Sequence, residues 1–237
     1  MQTTATISEA DAARAALSGT PRERARIATR ALLGLLRDPD DTRQVFLLGL
    51  VANGRAFPGF FARFASTDDG ARLLAERPSI DGTTVARLRG LPADTLGGAY
   101  ARYLDDNGLD ADLFQAPPGL PEPIRYVAQR LRQTHDIWHV LTGYLPDVPG
   151  EVALQGFTYA QLGAPSAALI AGLGALRWAP SRPDIVPMTR DGYRRGKQAA
   201  FLAPVRWEAL FERQLEEVRR ELRISPAKAR PRASAPS

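Results

Sequence analysis

Apolar residues recur three and four positions apart along almost the whole chain, and no run of strict two-residue alternation bounded by hairpin turns interrupts them. A period near 3.6 belongs to helices that bury one face, so the pattern predicts an all-α fold with strand content near zero. The 237 residues suffice for one sizeable core. The expected organisation is a partly helical N-terminal segment over 1–20, a single compact multi-helix domain over 21–224, and a disordered basic tail over 225–237 (SPAKARPRASAPS).

Helices are expected first at Glu9 to Leu17 and at Pro21 to Arg37, the second striped by Ile27, Ala31, Leu32, Leu35 and Leu36. The run Asp38-Pro39-Asp40-Asp41 ends that stripe, because proline disfavours helical geometry in its predecessor and aspartate suits a new N-cap. Thr42 to Ala52 is apolar on most sides and should lie deep. Shorter helices follow around Pro58 to Phe64, Asp68 to Glu76, Gly82 to Leu88 and Gly97 to Leu104. Later ones are expected from Glu151, over Ser166 to Arg177, Asp191 to Leu202 and Pro204 to Leu222. The stretch Val152 to Leu176 carries no formal charge, yet Gln155, Gln161, Pro165 and its glycines make it a poor membrane span; it reads as two buried helices hinged near Pro165.

One element carries chemistry. From Glu122 to Tyr144 the positions Ile124, Ala128, Leu131, His135, His139 and Thr142 are spaced four, three, four, four and three, so the two histidines, the only ones in the chain, continue an apolar face. Four residues is slightly more than one helical turn, which sets both imidazoles on one side, with Asp136 about 100 degrees around. Glu151 follows a short Pro146 to Gly150 turn that brings its carboxylate back towards the pair. Two imidazoles with one or two carboxylates suit zinc, iron(II) or manganese. The chain has no cysteine, which excludes disulfides, thiolate metal sites, iron–sulfur clusters and cysteine nucleophiles. Asp136 stands where a zinc protease has glutamate, and no third histidine exists, so peptidase and His-Asp phosphohydrolase readings both fail.

The order His135-Asp136-x-x-His139, eleven residues, then Glu151 resembles the signature of the coenzyme Q biosynthesis protein 4 family. The likeness extends to Arg130-Leu131-Arg132-Gln133-Thr134, Leu154-Gln155-Gly156-Phe157, Leu96-Gly97-x-x-Tyr100, Glu76-Arg77-Pro78, Gly196 and Trp207-Glu208, so it covers about residues 25–224. The resemblance implies a helical fold and a divalent metal, usually zinc, on His135, Asp136, His139 and Glu151, with Asp136 and Glu151 as the catalytic candidates. It also implies oxidative decarboxylation of a polyprenyl-hydroxybenzoate in ubiquinone biosynthesis, or alternatively a non-catalytic prenyl-lipid-binding scaffold for the other quinone-biosynthesis enzymes. A homodimer and a peripheral membrane location are implied in the same way.

Net charge is +5, and residues 190–237 hold 12 basic against 6 acidic side chains. Such a surplus suits an anionic membrane surface, a nucleic acid or an acidic protein; beside the resemblance a membrane surface is expected and a nucleic acid is not. No apolar signal core stands at the N-terminus, and Glu9 and Asp11 argue against a transit peptide, so a bacterial protein on the inner face of the cytoplasmic membrane is expected.

Overall fold

The computed structural model describes residues 8–38, 41–113, 115–116 and 119–228. Within them the fold is all-helical, and the β-type pairing present is one isolated bridge between Thr95 and Gln214. The helices run α1 (Glu9–Ser18), α2 (Pro21–Arg37), α3 (Thr42–Asn53), α4 (Phe57–Ala65), α5 (Asp68–Glu76), α6 (Gly82–Leu88), α7 (Leu96–Asn107), α8 (Ile124–Gln133), α9 (His135–Thr142), α10 (Val148–Leu162), α11 (Pro165–Trp178), α12 (Ile185–Gln198) and α13 (Leu215–Glu221). Their starts follow from local chemistry. Thr20, Thr67, Asp81, Thr95 and Asp147 each accept a hydrogen bond from the first turn of the helix they precede, and Ser8 forms a reciprocal capping box with Asp11.

The main core gathers α6, α7, α9, α10 and the C-terminal segment around Leu96, Tyr100, Ile137, Leu141, Phe157 and Trp207, all buried. Burying each such aliphatic or aromatic side chain contributes roughly 1.5–3 kcal/mol. A second cluster joins α1, α2 and α3, which α11 then covers through Ile170; a third joins α4, α5 and α8. The uncharged stretch is two helices as expected: α10 ends at Gly163 in the left-handed region (φ 63°), and Pro165 opens α11. No single helix among the described residues is long and apolar enough to cross a membrane.

Four elements depart most from the sequence reading. The element expected over Glu122 to Tyr144 is two helices, broken at Thr134 (φ −98°, ψ −4°). The hydrogen bonds Thr134 N–H to Arg130 O and Trp138 N–H to Thr134 O persist on both sides, so the break is a kink and the shared face continues. Helix α10 starts three residues before Glu151, because Asp147 caps it and Pro149 fits its first turn. Helix α12 runs from Ile185 to Gln198 rather than from Asp191 to Leu202, and Ile185 is buried against α10 and α11.

The fourth is the largest: Pro204 to Leu222 is no single helix but a 3-10 turn, Trp207–Ala209, followed by the short α13. Tertiary hydrogen bonds claim its backbone, with Leu96 and Gly97 N–H groups donating to Arg213 and Phe211 carbonyls, and Leu215 N–H to Asp94 O. Of the expected tail, residues 225–228 are described and docked: Ala227 N–H donates to Thr142 O at 2.7 Å, at the end of α9. Residues 229–237, like 1–7, lie outside the described residues.

Candidate metal centre

Helix α9 presents His135, Asp136 and His139 with one donor atom from each within 4.8 Å of the others. Helix α10 adds Glu151: Oε1 lies 3.0 Å from His139 Nε2 and Oε2 lies 3.6 Å from His135 Nε2. The two imidazoles stand edge to face, with ring centres 5.0 Å apart. All four residues singled out by spacing thus meet at one place, where the start of α10 folds back on α9.

His139 has a fixed role in this cluster. Its Nδ1 is 2.9 Å from the Tyr144 carbonyl, which can only accept, so Nδ1 carries the hydrogen and Nε2 of the neutral ring carries the lone pair. That Nε2 is buried, has no hydrogen-bond partner in good alignment, and faces a carboxylate oxygen at 3.0 Å. Two acceptors at that separation require a cation between them, either a proton or a metal ion. A ligating histidine whose second nitrogen is held by a carbonyl is the usual arrangement around a metal. The donor set of two nitrogens and up to two carboxylates therefore fits a divalent transition ion.

The titration of the group agrees with this geometry. For His135 burial favours the neutral ring, but the hydrogen bond and charge of Glu151, with Asp136, outweigh it and raise the pKa. Asp136 is raised because burial outweighs the attraction of His135 and His139, with Glu151 adding a smaller repulsion. Burial also resists ionisation of Glu151, yet His139 and His135 together hold it far below the carboxylate range. His135 and Glu151 nevertheless keep 35% and 43% of their side-chain surfaces exposed. The edge of the site formed by His135 and Glu151 is therefore open to solvent, while His139 is enclosed.

Helix α7 forms the back wall, and sequence reasoning missed most of it. The Tyr103 ring stacks on His139 at 5.5 Å between centres, and Tyr100, raised by burial and by the charge of Asp136, packs beside it against Phe211. Tyr144, also missed, supplies the carbonyl to His139. Tyr100 and Tyr103 are three apart on α7, a signal that becomes readable only once α7 is known to pack on α9. Tyr103, Tyr144 and His139 border an open cleft of about 270 Å³, which Arg102 and Asp106 also line.

Comparison with known proteins places this site in context. The chain matches the family described as coenzyme Q (ubiquinone) biosynthesis protein Coq4 over residues 15–228. It is 29% identical over 214 residues to the mitochondrial ubiquinone biosynthesis protein COQ4 homolog of Drosophila ananassae, covering 87% of this chain and 79% of that one. The corresponding protein of Danio rerio is 31% identical over 207 residues, covering 85% and 76%. A crystal structure from Nostoc punctiforme, described as that of a candidate ubiquinone biosynthesis protein, superposes with a TM-score of 0.68 at 24% identity, covering 84% of this chain and 97% of that one, and so shares the fold.

Proposed function

Because the chain belongs to the Coq4 family of ubiquinone biosynthesis proteins, we propose that it catalyses metal-dependent oxidative decarboxylation, removing the carboxyl group of a polyprenyl-hydroxybenzoate and placing a hydroxyl on the same ring carbon. The observation that carries this reading is the buried His139 Nε2, a lone pair aimed at Glu151 with its other nitrogen committed to Tyr144. His135, His139 and Glu151 would hold one divalent ion, zinc, iron(II) or manganese, with Asp136 as a fourth donor or as the proton carrier. When bound, such an ion supplies positive charge that stabilises an anionic aromatic acid and, for iron or manganese, one-electron chemistry.

The residues around it have separable tasks. The exposed flanks of His135 and Glu151 leave room for an aromatic ring. Tyr103 stacks on the His139 ring and the Tyr144 carbonyl occupies its Nδ1, so that Nε2 is the nitrogen left to coordinate. Asp136, raised by burial, keeps its proton to a higher pH than an exposed aspartate and suits proton delivery to the ring or its phenol oxygen. Converting the acid and one water to a phenol and carbon dioxide releases two protons and two electrons, so a two-electron acceptor such as dioxygen, reduced to hydrogen peroxide, is a co-substrate.

A peripheral membrane position suits this substrate. Arg177 stacks on Trp178 at 4.6 Å and Leu176 beside them is 73% exposed, a basic, aromatic and apolar combination fitted to a headgroup boundary. A second reading, a prenyl-lipid-binding scaffold that presents substrate to other quinone-biosynthesis enzymes, draws on a groove of about 320 Å³ between α10, α11 and α12. Tyr159, Tyr193, Ala168 and Ala171 line it, and none of the four motif residues does.

The test incubates purified, metal-analysed protein with a short-chain prenyl-hydroxybenzoate and dioxygen, beside His135→Ala and His139→Ala. Carbon dioxide and the hydroxylated ring formed by the wild type alone support the enzyme. Lipid binding with no turnover under any of the three metals sinks it in favour of the scaffold.

A further inference from the structure

His139 depends on a carbonyl whose direction is itself set from elsewhere. Gly143, left-handed at φ 72°, closes α9 by donating its N–H to His139 O at 2.8 Å, and the chain then doubles back so that Tyr144 O reaches His139 Nδ1. A glycine in that turn leaves the following peptide plane weakly constrained by local backbone geometry. The Tyr144 side chain supplies the constraint. Its ring is buried in the main core, and its hydroxyl donates to Asp191 Oδ2 at 3.2 Å, 47 residues away on α12.

Asp191 is held in turn. Arg195 Nε donates to the same oxygen that accepts from Tyr144, and Arg194 donates to Oδ1 at 2.6 Å. Arg195 also reaches the carbonyls of Ser225 and Pro226, at 2.5 and 3.1 Å, which ties in the segment that docks on Thr142. We propose that Asp191 is a positioning residue for the metal ligand His139, acting through Tyr144: it fixes the phenol, hence the peptide carbonyl, hence the imidazole plane. A carboxylate is needed here because Tyr144, Arg194 and Arg195 all donate, and an asparagine would turn an N–H group towards one of them. Partners outside the ligand shell are worth about 10–100-fold in metal affinity in well-studied sites.

The inference rests on the metal reading of the site, and the experiment separates the two. Cobalt(II) is titrated into the metal-free full chain, its affinity measured by chelator competition and its coordination by visible absorption, for wild type, Asp191→Asn, Tyr144→Phe and the double variant. Each single change should weaken cobalt binding about 10-fold or more and shift the absorption bands. The double variant should lose no more than the larger of the two single losses, because both changes act through the same Tyr144–Asp191 hydrogen bond.

A merely structural role would lower the melting temperature of the metal-free protein while leaving affinity and spectrum unchanged, and that result overturns the proposal, as do additive losses. Should Asp191→Asn fail to fold, Tyr144→Phe, which keeps ring and carbonyl, decides alone. A wild type that takes up no cobalt overturns both this inference and the proposed function, whereas equal binding by all forms overturns this one only.

Discussion

Arg130 and Glu208, 78 residues apart, form a bidentate ion pair that ties α8 to the 3-10 turn, with Nη1 to Oε1 at 2.5 Å and Nη2 to Oε2 at 2.8 Å. Arg130 has no exposed side-chain surface, and its Nη2 also donates to Val205 O at 3.2 Å. Two short sequence pieces, Arg130 to Thr134 before the histidines and Trp207-Glu208 near the C-terminus, are therefore one structural unit that clamps the entry to α9. Removing one partner leaves a buried charge uncompensated, which costs more than the intact pair contributes.

Glu208→Ala should accordingly lower the unfolding free energy by about 3 kcal/mol, the lower end for a broken buried pair because Glu208 keeps 30% of its side chain exposed. Urea unfolding of the metal-free protein measures it. A loss under about 0.5 kcal/mol would mean that water replaces the carboxylate at no cost.

The same pair sets part of the acid sensitivity. Burial pushes the Glu208 carboxyl up, but the hydrogen bonds and charge of Arg130 outweigh it and the folded pKa is lowered. A carboxylate with a depressed folded pKa stabilises the fold above its unfolded value of about 4.3, and that stability drains away as pH falls through the folded value. Melting temperature should therefore drop below about pH 4.3, and Glu208→Gln, less stable at neutrality, should show a shallower drop. Parallel melting curves from pH 6 to 3 for the two proteins would refute the assignment.

Much of this was legible beforehand, for identifiable reasons. The charge-free Val152 to Leu176 stretch announces two buried helices because Gly163 and Pro165 act locally, and His135 and His139 share a face, with Asp136 beside them, because helical spacing alone decides it. Glu151 follows because the loop before it is too short to carry it away. What spacing cannot show is a partner from a distant element. Asp191 reaches Tyr144 only because α12 lies on α10, and the 207–215 backbone abandons helix only because α7 offers it hydrogen bonds. Helical periodicity in 204–222 was real but local, and tertiary pairing won.

Metal uptake should register as stability. A ligand that binds only the folded chain stabilises it by about 2.7 kcal/mol at 100 times its dissociation constant, several degrees for a protein of this size. Zinc or manganese should raise the melting temperature of the wild type by that amount and leave His139→Ala unmoved. Equal shifts in both proteins would move the binding site away from α9.

Two glycines on neighbouring helices should respond to alanine in opposite directions. On α12 a methyl group at Gly192 would lie 2.1 Å from Ala153 O of α10, and one at Gly196 would lie 2.7 Å from Phe157 O, so these positions let the two backbones touch. Gly192→Ala must push α12 off α10, at about 1–3 kcal/mol for overpacking, and because Asp191 is its neighbour the displacement should also weaken metal binding. On α11 a methyl at Gly172 meets nothing within 4 Å, and the site is an exposed helix interior where glycine is disfavoured against alanine by roughly 1 kcal/mol. Gly172→Ala should therefore raise the melting temperature and leave metal affinity as it is. Denaturant midpoints and cobalt titrations of the two variants read both effects. If both variants destabilise alike, space around the glycines is not what selects them, and the close α10–α12 contact loses its role in placing Asp191.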